Sequence, residues 1–203
     1  MENESIDKEL PSISLTPEVE QGEIRIVLSW TDGPSNIDIH SMFKVTKIRK
    51  CHVYFGNKEC TGVELDADNT KGGKNGVETL TINSLGNYVY TFYVHKYVDN
   101  TSGNADGETR TPSFTPTQNE YNDDINAVKL YESEAKVVVI GAGYRAPIAT
   151  FEVGTAPCDT EEQKEYKYWV LFCLNGNEGV SSLKGINELV EEAPSYSYCE
   201  DYY

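Results

Sequence analysis

Alternation of apolar and polar residues runs through most of the chain. Ile24, Ile26, Leu28 and Trp30 alternate with Arg25, Val27 and Ser29, the pattern of a half-buried strand. Residues 45–55 and 77–82 read as further strands. After Gly86-Asn87 comes the longest β-rich run, 88–98, and shorter ones follow at 127–131, 136–140, 148–153 and 166–174. Many short strands divided by Gly, Asn and Asp turns predict an all-β fold, an antiparallel β-sandwich of Ig-like or jelly-roll-like form. One short C-terminal helix is expected over 181–192. Ser181-Ser182 would cap it, Leu183, Ile186, Leu189 and Val190 would form its apolar face, and Pro194 would stop it. The expected organisation is a flexible lead-in over 1–21, a sandwich over 22–180 and a helix with a tyrosine-rich tail over 181–203. The tail reads as disordered or ordered by a partner. A polar stretch at 99–124 with Pro112 and Pro116 reads as a loop insertion. There is no internal repeat.

Charge narrows the partners. The 203 residues carry 33 acidic and 17 basic side chains, a formal net charge of −16. Such a chain repels phosphate backbones and anionic lipid, which argues against nucleic acid. No run reaches the ~18–20 apolar residues of a membrane span, so membrane insertion is not expected. Residues 1–20 lack a signal-peptide core, which fits either a cytosolic protein or a mature fragment with a start methionine.

Five cysteines fit two disulfides and one odd thiol in an oxidising compartment, or five thiols in a reducing one. Cys51 and Cys60 flank Tyr54-Phe55-Gly56-Asn57. A four-residue loop at 54–57 would set them opposite each other, at bridging distance. A Gly56-Asn57 turn would instead pair Val53 with Cys60 and leave Cys51 diagonal to it. Cys158 and Cys173 lie around a second turn-rich region and Cys199 sits in the tail. No Cys-x-x-Cys spacing is present.

The acidic residues are not spread evenly. Asp66, Asp68 and Asn69 precede Gly72-Gly73 and Asn75-Gly76, with Glu78 beyond, and a second acidic cluster holds Asp32 and Asp38. Calcium takes six to eight oxygens at ~2.3–2.6 Å, and a glycine-rich loop can fold several onto one ion. Asp66 and Asp68 would point to one side of an extended segment. The glycines would return the chain to bring Glu78 near, with Asp38 joining from the neighbouring loop. An EF-hand is excluded, because counting from Asp66 its glycine position is Lys71 and its last position Val77.

Asn36-Ile-Asp-Ile-His, six residues after Trp30, resembles the Asp-Leu-Asp-Leu-His signature of YfaP-like domains, β-sandwich modules of surface or exported proteins. In that family, as here, a tyrosine-containing strand and an Asp-x-Asp, glycine-rich, Glu-Thr segment follow. The resemblance covers about residues 24–97 and departs at Asn36, where the family carries Asp. It implies a non-catalytic, cation-stabilised module.

Other motifs read as structural. The run 137–146 holds Gly141 and Gly143 in a G-x-G-x-x-A pattern. Pro147 and the strand pattern after it oppose the helix that a dinucleotide site needs, so this is expected to be a hairpin. His40 reads as a strand-edge hydrogen-bonding residue, with a place beside Asp38 as the alternative. His95 is expected to pack or lie at the surface. Tyr88, Tyr90, Tyr93 and Tyr97 would bind sugar as an exposed coplanar row, or stabilise the sheet as interleaved buried rings. Asn3 and Asn100 begin glycosylation sequons, Asn100 being the better acceptor. The expected function is therefore non-enzymatic. It is an extracellular or cell-surface module for adhesion or surface and filament assembly, holding calcium, with a protein, a glycan or a second copy as partner. A carbohydrate-binding module using the tyrosine face is the alternative.

Overall fold

The computed structural model describes residues 19–31, 36–69, 76–97 and 128–203. In chain order the strands are β1 (Ile24–Trp30), β2 (Ile37–Lys44), β3 (Lys50–Val53), β4 (Glu59–Cys60), β5 (Val63–Ala67), β6 (Gly76–Ile82), β7 (Val89–Lys96), β8 (Lys136–Gly141), β9 (Ala149–Glu152), β10 (Tyr168–Asn175) and β11 (Lys184–Val190). They form two sheets, ordered β4-β5-β6-β1-β8-β9 and β11-β10-β7-β2-β3. The expected antiparallel sandwich is thus present.

Alternation puts Ile26, Leu28, Leu80 and Val139 of the first sheet against Ile39, Phe43, Phe92 and Trp169 of the second, all buried in one core. Trp30 ends β1 at the rim of that core, paired with Gly76. A Cβ on Gly76 would lie 1.9 Å from the buried Trp30 ring, so only glycine lets the indole fit. Gly76→Ala is expected to cost about 1–3 kcal/mol by overpacking. Chemical denaturation measures it, and an unchanged midpoint would show that the indole has room to shift.

The second sheet is covered on its outer face too. Met42, Tyr93 and Val170 form a small outer core there, with Ile186, Val190, Tyr196 and Tyr198 packed on it. The chain after β11 therefore runs as a strap across the sheet. Lys44 pairs with Glu200 at 2.9 Å, the Lys50 ammonium lies 4.9 Å from the Tyr196 ring centre, and the chain ends in a 3-10 turn, Tyr198–Tyr202. The expectation of a disordered or partner-ordered tail is corrected by this packing.

The expected helix at 181–192 is also corrected. A 3-10 turn at Val180–Ser182 leads into β11. Apolar side chains face both ways along β11: Leu189 enters the main core, whereas Ile186 and Val190 pack under the strap. Burial on both faces erases the two-residue period, and the remaining spacing of apolar residues imitates a helix. The strand expected at 127–131 is instead a 3-10 turn at Leu130–Glu132. The start of the strand expected at 45–55 is the β2–β3 turn, the arm expected to reach Cys60 is the short β4, and β2 and β5 lie outside the expected strand ranges.

Two disulfides are present, Cys51–Cys60 and Cys173–Cys199, and Cys158 is the odd thiol. Cys51 and Cys60 do come opposite each other, with Cα atoms 5.8 Å apart. Their setting is not a simple hairpin. Tyr54 bridges Asn57 around a tight turn, but β3 belongs to the second sheet and β4 to the first. The bond therefore staples one edge of the sandwich. Cys173–Cys199 ties the strap to β10. The Gly141–Gly143 run turns directly from β8 into β9, with Val139 opposite Ala149, so the helix of a dinucleotide fingerprint is replaced by a strand. Asn3, Asn100, Asp32 and the insertion expected at 99–124 lie outside the described residues.

Candidate metal centre

Asp38 on β2, Asp68 just after β5 and Glu78 on β6 bring carboxylate oxygens within 4.8 Å of one another. Three strands from both sheets meet here because β3 is short. β3 pairs with β2 only from Ser41 onward, so among the described residues the β2 edge before it has no strand neighbour. Glu78 fills that gap from the opposite sheet. Its Oε2 accepts the Ile39 backbone N–H at 2.8 Å, and its Oε1 accepts the Asn69 N–H at 3.3 Å. Glu78 and Asp38 are buried, and the Asp68 side chain is 5% exposed.

The electrostatics are strained without a cation. Burial, and then the Asp38 charge, push Glu78 from 4.5 up to about 9. Lys58 Nζ meets Asp68 Oδ2 at 2.9 Å, while Asp68 Oδ1 is buried with no hydrogen-bond partner. Among the described residues Lys58 is the ammonium that faces the three carboxyl groups, and a divalent cation would relieve their mutual repulsion. An all-oxygen set of this kind suits a hard ion.

Of the five residues expected at the site, three converge. Asn69 takes part through its backbone N–H. Asp66 does not join, and its inclusion is corrected. Leu65 pairs with Leu80 and Ala67 with Thr79, so the register shifts at Asp66. This bulge cancels the alternation that would have aligned Asp66 with Asp68. Asp66 turns outward and accepts a hydrogen bond from the Thr81 hydroxyl, while Asp68 turns in toward Glu78.

The three histidines form a cluster that the sequence reading missed. His40 Nδ1 lies 2.8 Å from His52 Nε2, the Tyr93 hydroxyl is 3.1 Å from that same atom, and the His40 and His95 ring centres are 5.8 Å apart. The signal was present in the strand register, since Asp38 sits opposite His95 and His40 opposite Tyr93 on the outer face of the second sheet. Burial holds both His40 and His52 neutral: His40 is well below its ordinary value, with further lowering by His52 and His95, and His52 is down at about 4.

The four tyrosines do not form an exposed row. Tyr90 packs in the main core beside Phe43 and Phe92, whereas Tyr93 faces the other way, under the strap. Comparison with protein-family models, with curated proteins and with solved structures yields no match. The resemblance of residues 24–97 to YfaP-like domains rests on its motifs.

Proposed function

We propose that this chain is a non-enzymatic β-sandwich module that works outside the cytosol in adhesion or surface assembly, with calcium latching its two sheets together. One observation carries the metal: the carboxylate oxygens of Asp38, Asp68 and Glu78, brought from both sheets, converge within 4.8 Å of one another at a largely buried point. Asp38, Asp68 and Glu78 would hold the ion. Binding would join β2 of one sheet to β6 of the other and relieve the mutual repulsion of the acids. Two disulfides support an oxidising compartment. Among the described residues no helix is long and apolar enough to cross a membrane. The interleaved burial of Tyr90 and Tyr93 supports a structural role for the tyrosines over a sugar platform.

A thermal melt tests the metal. Millimolar calcium is expected to raise the Tm over that in excess chelator, with a gain of roughly 2.7 kcal/mol at one hundred times the dissociation constant. Asp68→Asn should abolish the response. Asp66→Asn should keep it, because Asp66 points away. An identical Tm in calcium and chelator, with no calcium by elemental analysis, would remove the latch.

A further inference from the structure

The β2–β3 turn carries the sharpest local reversal of charge on the molecule. Residues 44–50 read Lys-Val-Thr-Lys-Ile-Arg-Lys, placing four basic residues in seven within a chain of net charge −16. Ile48 at its apex is 94% exposed. A single exposed isoleucine is ordinary on a protein surface. This one is held rigidly: the Thr46 hydroxyl oxygen accepts the backbone N–H groups of Ile48 and Arg49, at 3.3 and 3.0 Å, and Val45 N–H donates to Arg49 O at 2.9 Å. Lys44 and Lys50 are drawn back to Glu200 and Tyr196 of the strap. The projecting apex is thus Lys47-Ile48-Arg49, with one Arg49 guanidinium nitrogen donating to the Thr61 hydroxyl at 3.4 Å.

The complementary surface lies at the other end of the sandwich. A cleft of ≈ 520 Å³ there is lined by Glu162, Glu165, Glu191 and Glu192, with Tyr166 and Tyr168 and a single cation, Lys167. Glu165 already holds Lys129 at 2.7 Å, so the negative charge offered is chiefly that of Glu162, Glu191 and Glu192. Strand register fixes the separation. Phe43, next to the apex turn, pairs with Tyr90, whereas His95 at the far end of β7 pairs with Tyr168 in the cleft. β2 spans eight residues, so apex and cleft stand roughly 25 Å apart along the strands.

We infer that the Lys47-Ile48-Arg49 apex of one molecule docks in the Glu162/Glu191/Glu192 cleft of a second copy. Ile48 would lie against the Tyr166 and Tyr168 rings and the two cations among the glutamates. The two surfaces differ and sit at opposite ends, so the contact is heterologous and extends head to tail. This inference deepens the assembly role proposed above by naming the partner and both surfaces. An anionic membrane is the less fitting occupant, because one isoleucine gives little insertion energy.

Sedimentation velocity over a concentration series, at low and high salt, tests the inference. Wild type should form a ladder of species that grows with concentration and shrinks with salt. Ile48→Asp and the pair Glu191→Lys/Glu192→Lys should each weaken association by about tenfold or more. Mixing these two variants should give a dimer that grows no further, because one intact apex and one intact cleft remain. All substituted positions are exposed, and circular dichroism confirms the fold. A wild type that stays monomeric throughout would overturn the inference, as would association that neither variant weakens. So would binding of wild type, but not of Ile48→Asp, to phosphatidylserine vesicles without self-association, which would assign the apex to lipid. The calcium melt reads a different part of the molecule, so either result can fail alone.

Discussion

Stripped of divalent cations, the protein is expected to lose stability as pH rises above neutrality, and Glu78→Gln is expected to abolish that loss. Burial raises Glu78 from 4.5 to about 9, with Asp38 adding to the effect. Between these values the folded chain keeps a proton that the unfolded chain releases. Raising the pH therefore favours unfolding. The stabilisation is complete below pH 4.5 and is lost as the pH passes through the folded value. One proton per molecule gives a slope of about 1.4 kcal/mol per pH unit inside the window. His40 and His52 slope the other way. Both are held neutral in the fold, so their contribution is lost as pH falls below 6.5, in the case of His52 toward about 4. The measurement therefore belongs between pH 6.5 and 9, by urea denaturation in chelator. Gln keeps the shape of Glu78 but forfeits one of its two backbone hydrogen bonds, about 1 kcal/mol at every pH. The slope, not the absolute stability, is the readout. Calcium should flatten the wild-type slope, because the ion takes the place of the proton and binds better as pH rises. Equal slopes for wild type and Glu78→Gln would show that Glu78 is not the group that titrates.

The part of this site that was legible in the sequence was its composition. Acids next to glycines at strand ends announced an oxygen-rich centre, and Asp38, Asp68 and Glu78 do meet. Which acid points inward was not legible. Alternation through Asp66 and Asp68 assumes an unbroken ladder, and the bulge at Asp66 is set by pairing with β6, not by local sequence. The same limit explains the C-terminus. β1, β6, β7, β8 and β10 each show a period or an apolar run against Gly and Asn turns, and they were found close to their bounds. β11 carries apolar residues on two faces only because a strap further along the chain covers the second face. β2 was passed over for a related reason: its outward residues Asp38 and His40 are polar yet buried, and they read as a motif instead of a strand. The histidine cluster shows this most clearly. His40, His52 and His95 come from three strands and meet only once the β3-β2-β7 register is fixed.

Removing the Cys173–Cys199 bond is expected to destabilise the protein more than removing Cys51–Cys60. The two bonds span 26 and 9 residues. Chain-entropy arguments give about 3.5 kcal/mol for the longer loop and about 2.6 kcal/mol for the shorter. Packing widens the gap. Cys51–Cys60 joins strand edges that the main core already holds, since Val53 and Val63 are buried within it. Cys199 anchors a segment whose other ties include the exposed Lys44–Glu200 pair, the Tyr198 hydroxyl on Glu188 at 3.4 Å, the Tyr203 hydroxyl donating to the Ser182 carbonyl at 2.6 Å, the Lys50 and Lys184 ammoniums on the Tyr196 and Tyr202 rings, and the packing of Tyr196 and Tyr198. Exposed pairs of this kind contribute about 0–1 kcal/mol. In Cys199→Ser the strap should therefore peel away locally before the sandwich opens, uncovering Met42, Tyr93 and Val170. Three readouts follow: a lower denaturation midpoint, faster amide exchange in residues 194–203, and stronger binding of a hydrophobic dye under native conditions. Cys51→Ser should lower the midpoint less and leave the dye signal unchanged. Equal losses for the two variants, with native exchange retained at 194–203, would mean that the tyrosines hold the strap without the disulfide.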